Sequence, residues 1–444
     1  MTKTLIVGGN IVRRDGCERS DILLDETGRI ECIQASIATT NEVSKIDATG
    51  CYLFPLLTDC HVHFREPGLE HKATMMSEAR SALAGGVGTV CEMPNTIPPT
   101  VTIAALADKV RRASSVDGVR LFFFFGITEE AHLQTFRELM SSTSEELERL
   151  RKHCCGVKLY LDHSTGNQKV DGGIVPEIFK ACAEFGVPLV AHCEDAEMNA
   201  AAREAILKNT DIKTLPIDQH SAMRPNASEA RSIGDAIAFA EQFGTHLHIA
   251  HLSTKEGVEL VRAAKERRVT VAAETAPHHL FLTIDDYTTI GTLGKMNPPL
   301  RSMADRDALW QGVIDGTIDC ISTDHAPHTL DEKQALPALN APSGVPGVET
   351  MLPLLLTVAL GSWPHPTSMK PAGIDDFSLS TIYRACFEAP QTIFRLGDDR
   401  IEVKKTPRLM MIDPTITRTL RASELHAKCG WTPFEGWKVR GRVR

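Results

Sequence analysis

The run Asp59-Cys60-His61-Val62-His63-Phe64-Arg65-Glu66-Pro67-Gly68 sets the frame in which the rest of the chain is read. It continues an apolar stretch that begins near Phe54, and successive side chains of a strand point to opposite faces. His61 and His63 therefore share a face and can offer two imidazoles to one metal ion. A bare His-x-His also occurs as two polar residues on a solvated strand. Here the Arg-Glu-Pro-Gly turn follows directly and puts the pair at the strand's C-terminal end.

Working outward, four more apolar runs close on residues of the same chemical type. These are Lys158 in Gly156–Leu161, His192 in Leu189–Asp195, His251 in Leu247–Ser253 and Asp324 in Ser322–His328. Candidate strands end near His63, Met93, Gly126, Leu161, His192, His251, Thr275 and Asp324, with helical patterns such as Ile103–Ala113 and Ala227–Phe243 between them. Strand-length runs alternating with helix-length segments predict repeated β-α units on a parallel sheet, and this number of them predicts a closed (β/α)8 TIM barrel of the α/β class. Barrel chemistry sits at the C-terminal ends of the strands. A lone histidine is usually structural, but this set gathers at the one face where a site forms.

The flanks read differently. Leu5-Ile-Val, Asp21-Ile-Leu-Leu and Arg29-Ile-Glu-Cys-Ile are short β-pieces separated by turn residues. After a helical Phe387–Leu396, the pieces Arg400-Ile-Glu-Val and Leu409-Met-Met-Ile-Asp return to strand character. The expected layout is a small β-annex begun by residues 1–54, a barrel over 55–385, and a C-terminal segment 386–444 that completes the annex.

Composition narrows the function. The chain has 444 residues and a net charge of −9 with both signs interspersed, which gives no basic field for a phosphate backbone, so nucleic acid is not expected as a partner. Neither a secretory leader nor an apolar run long enough to span a bilayer is visible, so no membrane role is expected. The 12 cysteines lack the spacing of a disulfide framework or a zinc knuckle; they read as reduced thiols in a cytoplasm, Cys60 and Cys154-Cys155 included.

Lys158 is the unusual member of the set, because Val157, Leu159 and Leu161 make its strand apolar. A lysine paired with a nearby carboxylate is the plain reading. Desolvation, however, lowers an amine's pKa, and a neutral amine reacts with carbon dioxide to a carbamate that can give one oxygen to each of two metals. Two divalent ions on His61, His63, Lys158, His192, His251 and Asp324 would turn a water between them into a nucleophilic hydroxide. Asp324 would then act as general base and acid, moving the proton to a leaving amide nitrogen.

These segments together resemble the amidohydrolase superfamily, and within it the dihydroorotases, from residue 1 to about residue 413. DCHVHFREPG, EMPNTIPP at Glu92–Pro99, GVKLYL, LVAHCED, HIAHLST, KMNPPLR at Lys295–Arg301, STDHAPH and APSGVPGVET at Ala341–Thr350 stand in that family's order. The resemblance implies two zinc ions per subunit, a carboxylated Lys158, and a β-sandwich annex built from both termini. It implies reversible hydrolysis of dihydroorotate to N-carbamoyl-aspartate, with Arg65, Asn95 and His328 on the substrate carboxylate, Asn297 on the ring, and Ser343 and Gly344 lining the pocket. It further implies a mobile loop at Ser164 and Thr165. A guanidinium suits this substrate, since it grips a carboxylate with two hydrogen bonds. Tandem His278-His279 reads as supporting structure.

The sequence departs from the family at Leu56 and Thr58, where a glycine and an isoleucine are usual, and at Lys404–Arg408, which replaces a Gly-rich turn. Neither touches a candidate ligand. The nearest alternatives are another cyclic amidohydrolase (hydantoinase, dihydropyrimidinase or allantoinase), whose neutral ring would not need Arg65, and a non-catalytic partner of aspartate transcarbamoylase, which would be expected to lack ligands present here. A homodimer is the expected assembly, as two-fold pairs are the commonest.

Overall fold

The computed structural model describes every residue except 1, 39–42, 163–167, 171 and 209. Eight parallel strands form the barrel: β6 (Leu57–Val62), β7 (Val87–Glu92), β8 (Arg120–Gly126), β9 (Cys154–Tyr160), β10 (Leu189–His192), β11 (Leu247–Ile249), β12 (Val271–Thr275) and β13 (Cys320–Ile321), numbered after five strands of the annex. Neighbours in sequence are neighbours in the sheet, as short right-handed β-α connections require. The seam between β6 and β13 is closed by a Val62–His325 bridge and by Asp59, whose carboxylate accepts from the Thr323 N–H at 3.0 Å and hydroxyl at 2.5 Å.

Local chemistry places the turns. Several helices that follow barrel strands start at a side-chain cap, where a hydroxyl or carboxylate accepts from the first-turn backbone. Asp195 accepts from the Met198 N–H ahead of helix Ala196–Leu207, and Thr254 accepts from the Gly257 N–H ahead of helix Lys255–Glu266. The helix expected over Ile103–Ala113 occupies those residues, and the one expected from Ala227 runs Asn226–Phe243. The barrel interior is filled below the site by Cys60, Cys91, Phe124, Val190, Ala250 and Cys320, with Phe394 packed edge-on to Phe124. Full burial of one such ring is worth roughly 1.5–3 kcal/mol.

The annex contains β1 (Thr4–Arg13), β2 (Gly16–Leu24), β3 (Ile30–Gln34), β4 (Ser44–Asp47) and β5 (Tyr52–Pro55), joined by β14 (Leu409–Thr419) and β15 (Lys438–Val443). They make one sheet in the order β15-β14-β5-β1-β2-β3, branched where β1 pairs with β4 at its start and β5 near its end. Ile6, Ile11, Ile22, Ile30 and Leu53 form its core.

Two sequence expectations are corrected. Arg400–Val403 is not a strand: Ile401 turns into the annex core, Arg400 pairs with Asp398, and the backbone instead exchanges bonds between Ile30 and Lys404–Lys405. The helix at Phe387 opens with a wider turn over Arg384–Glu388 before Ala389–Phe394. Strands β11 and β13 also stop short of His251 and Asp324, for a reason given below.

Candidate metal centre and active site

His61 is the penultimate residue of β6 and Glu274 the penultimate residue of β12, six strands later in the chain but separated from β6 by β13 alone once the barrel closes. The fold brings them into contact: His61 Nδ1 donates to Glu274 Oε1, a contact between residues 213 apart in sequence. The carboxylate's other oxygen takes His248 Nε2 at 3.1 Å and the Cys60 thiol at 3.2 Å. With Nδ1 protonated, His61 Nε2 keeps its lone pair and faces Asp324 Oδ1 at 3.3 Å.

The same logic repeats around the ring. His63 Nδ1 donates to Asn95 Oδ1 at 2.7 Å, leaving Nε2 toward Asp324 Oδ1 at 3.1 Å. His192 Nε2 donates to Glu194 Oε2 at 2.9 Å, leaving Nδ1 opposite His251 Nε2 at 3.0 Å. Each of these three histidines is held from outside by an oxygen acceptor and presents an unprotonated nitrogen inward, which is how metal-binding imidazoles are oriented. Burial drives the His63 pKa down to about 4 and that of His251 well below the histidine range, so both rings are neutral donors. His61, His63 and Asp324 offer ligand atoms within 4.8 Å of one another.

Lys158 lies in the floor, 1% exposed, and its Nζ has no hydrogen-bond partner among the described residues. Desolvation lowers its pKa to about 8, against the pull of Glu274 and Asp324. An orphaned buried amine of this kind fits conversion to an anionic donor better than it fits a structural ion pair. Asp324 remains a carboxylate: although burial opposes charge, His61, His63 and His251 hold its pKa well below the usual range. Its backbone, like that of His251, is left-handed, with φ of 45° and 32°; this breaks the strand and aims the side chain over the barrel mouth.

Arg65 follows the pair on the same turn, at φ 70° and 2% exposed. Nε donates to Pro327 O at 3.0 Å, and no carboxylate among the described residues pairs with it. His328 lies 3.2 Å from Arg65 Nη2, but its Nδ1 accepts from Lys72 at 2.9 Å, so Nε2 is protonated and donates to Ser343 O at 3.0 Å. Burial, then Arg65 and Lys72, keep that imidazole neutral. Asn297 Oδ1 accepts from His220 Nε2 at 3.0 Å and Ser343 Oγ at 3.2 Å. Gly344, at φ +141°, sits where a Cβ would meet Ala326 O at 2.6 Å.

The cleft is thus lined by His61, His63, Arg65, Asn95, His192, His251, Asn297, Asp324, Ser343 and Gly344, with Lys158 beneath and His328 behind Arg65. Ser164 and Thr165 fall outside the described residues. His278 and His279 are buried, with ring nitrogens lacking partners among the described residues. Sequence reading missed Tyr160, Glu274 and Glu194. Tyr160 lies two residues beyond Lys158 on one strand, so the alternation that found His63 would have found it; Glu274 is a charge ending an apolar strand, the signal that found Lys158. A cavity of about 710 Å³ opens instead at the opposite end of the barrel beside Asp319, where Arg14 pairs with Glu388 and Arg400 with Asp398.

Fold and donor set together define a barrel with a buried site suited to divalent metal. Residues 52–429 match the amidohydrolase family. The chain is 36% identical over 440 residues to a dihydroorotase of Staphylococcus epidermidis, covering 98% of this chain and 96% of that protein. It is 37% identical over 394 residues to a dihydroorotase of Halobacterium salinarum, covering 88% and 84%. Among solved structures, the L-hydantoinase (dihydropyrimidinase) of Arthrobacter aurescens superposes with a TM-score of 0.88 at 26% identity, covering 100% of this chain and 94% of that one. The chain belongs to the amidohydrolase family, in its dihydroorotase branch. Among the described residues, no helix is long and apolar enough to cross a membrane.

Proposed function

We propose that this protein is a dihydroorotase, hydrolysing the ring amide of dihydroorotate to N-carbamoyl-aspartate and closing it again. The observation that carries the substrate is Arg65: a guanidinium 2% exposed at the cleft wall, with no carboxylate paired to it among the described residues. Burying a cation without a counter-ion is costly, so the site is complete only when the substrate brings one. A hydantoin or dihydropyrimidine ring carries no carboxylate, which is why the likeness to a hydantoinase is read as shared fold.

The inward nitrogens of His61, His63, His192 and His251, with Asp324 and Lys158, suit two zinc ions, Lys158 serving as an anionic donor once carboxylated. Such ions supply Lewis-acid polarisation of the scissile carbonyl and make water nucleophilic near neutral pH. The protein's own groups do the rest. Arg65 seats the carboxylate, with Asn95 and neutral His328 beside it, and Asn297, Ser343 and Gly344 bound the ring. Asp324, ionised, accepts the proton of the attacking water and delivers it to the ring nitrogen as the C–N bond breaks. Ring closure runs the same transfer backward. The barrel over 55–385 carries the chemistry, with 1–54 and 386–444 as annex and a cytoplasmic homodimer as the working form.

Turnover of dihydroorotate and N-carbamoyl-aspartate, measured with metal content on the same sample, tests this. Faster turnover of hydantoin or dihydrouracil than of dihydroorotate would replace it with the hydantoinase reading.

A further inference from the structure

The wall that faces the metal donors is assembled from three separate segments: Lys295–Asn297, the His328 turn and Ala341–Gly344. Few backbone bonds join them; Gly344 N donates to Lys295 O at 3.0 Å. What ties them is a buried lysine that sequence reading passed over. Lys333 ends the short helix Leu330–Lys333 and is 0% exposed. Its Nζ donates to Lys295 O at 2.8 Å, Pro342 O at 3.0 Å and Gly344 O at 3.0 Å. Three carbonyls satisfy the three N–H bonds of an ammonium, the arrangement that a charged lysine needs when burial works against it.

The Trp431 ring lies beside that nitrogen, its centroid 5.5 Å from Nζ. Trp431 belongs to the segment between β14 and β15, and its Nε1 donates to His328 O at 2.7 Å. His328 in turn donates to Ser343 O, and Ser343 Oγ reaches Asn297 Oδ1. A closed circuit therefore links Lys333, Trp431, His328, Ser343, Gly344 and Asn297, and none of its bonds is made to a metal-donor candidate.

We infer that Lys333 is a positioning residue for the substrate wall, and that through Trp431 the C-terminal segment sets substrate affinity without touching substrate. This rests on the dihydroorotase reading for the identity of the substrate, though not for the circuit itself.

The test uses the full-length, metal-loaded enzyme and the variants Lys333→Met and Trp431→Phe. Lys333→Met is expected to raise the KM for dihydroorotate by about 10- to 100-fold, with kcat within about 3-fold and metal content unchanged; Trp431→Phe should raise KM by about 3- to 10-fold in the same pattern. Hydrogen exchange should rise at residues 295–297 and 339–344 in Lys333→Met. Wild-type KM in both variants overturns the inference, as does loss of metal or a collapse of kcat at unchanged KM. If Lys333→Met fails to fold, Trp431→Phe decides by the same criteria. A wild type inactive on dihydroorotate overturns the functional reading alone; exchange then decides the circuit, unchanged protection overturning it and selective loss supporting it.

Discussion

Replacing Arg65 with methionine separates substrate binding from everything else at the site. The side chain is buried, makes one hydrogen bond to Pro327 O, and faces the cleft with no carboxylate partner among the described residues. A substrate carboxylate seated on it gains two charge-assisted hydrogen bonds, each worth about 1.5–3 kcal/mol. Their loss totals about 3–6 kcal/mol, and at about 1.4 kcal/mol per decade kcat/KM should fall roughly 10²- to 10⁴-fold. Because the carboxylate is bound alike in ground and transition states, most of the loss belongs in KM. Methionine fills a similar volume and removes an unpaired buried cation, so the melting temperature should hold near the wild-type value. The assay is steady-state kinetics on dihydroorotate beside a neutral dihydropyrimidine, with calorimetry and metal content. A kcat that falls while KM stays fixed, or an equal loss on the neutral ring, would refute the carboxylate assignment.

Lys158→Ala should abolish activity and lower metal content, and a short carboxylic acid supplied in the buffer should partly restore both by filling the vacated volume with an anionic donor; full metal loading without rescue would remove Lys158 from the centre. In the metal-free protein, Lys158 titrates near 8 against 10.5 for the free side chain. Between those values the unfolded chain holds the proton that the buried amine has released, so stability should rise with pH across that window, and Lys158→Met should flatten the rise. Glu274→Gln keeps an acceptor for His61 Nδ1 but removes the charge, and should weaken metal affinity by about 10- to 100-fold in a chelator competition; an unchanged affinity would make Glu274 a packing residue only.

The barrel and the candidate donors were legible in local sequence patterns. The barrel strands are largely buried, so pieces such as β9 and β10 read as mostly apolar runs, and a histidine or lysine within or at the end of one stands out against that background. Helix caps such as Thr102 and Thr254 are equally local and equally legible.

The groups that hold the donors come from chain closure and were not legible locally. Glu274 and His61 are far apart in the chain and meet because the barrel closes; Asn95 reaches His63 across neighbouring strands, and its amide oxygen orients that ring. The left-handed turns at Arg65, His251 and Asp324 were invisible because such backbone is favoured by glycine and imposed on other residues only by surrounding contacts. Arg400–Val403 has the composition of a strand, yet tertiary packing of Ile401 overrides it. The dependence of the substrate wall on Trp431, 103 residues beyond His328, belongs to the same class. Local patterns record which face a side chain takes, while the partner waiting there is chosen by chain closure over long separations, for which a single sequence carries no period.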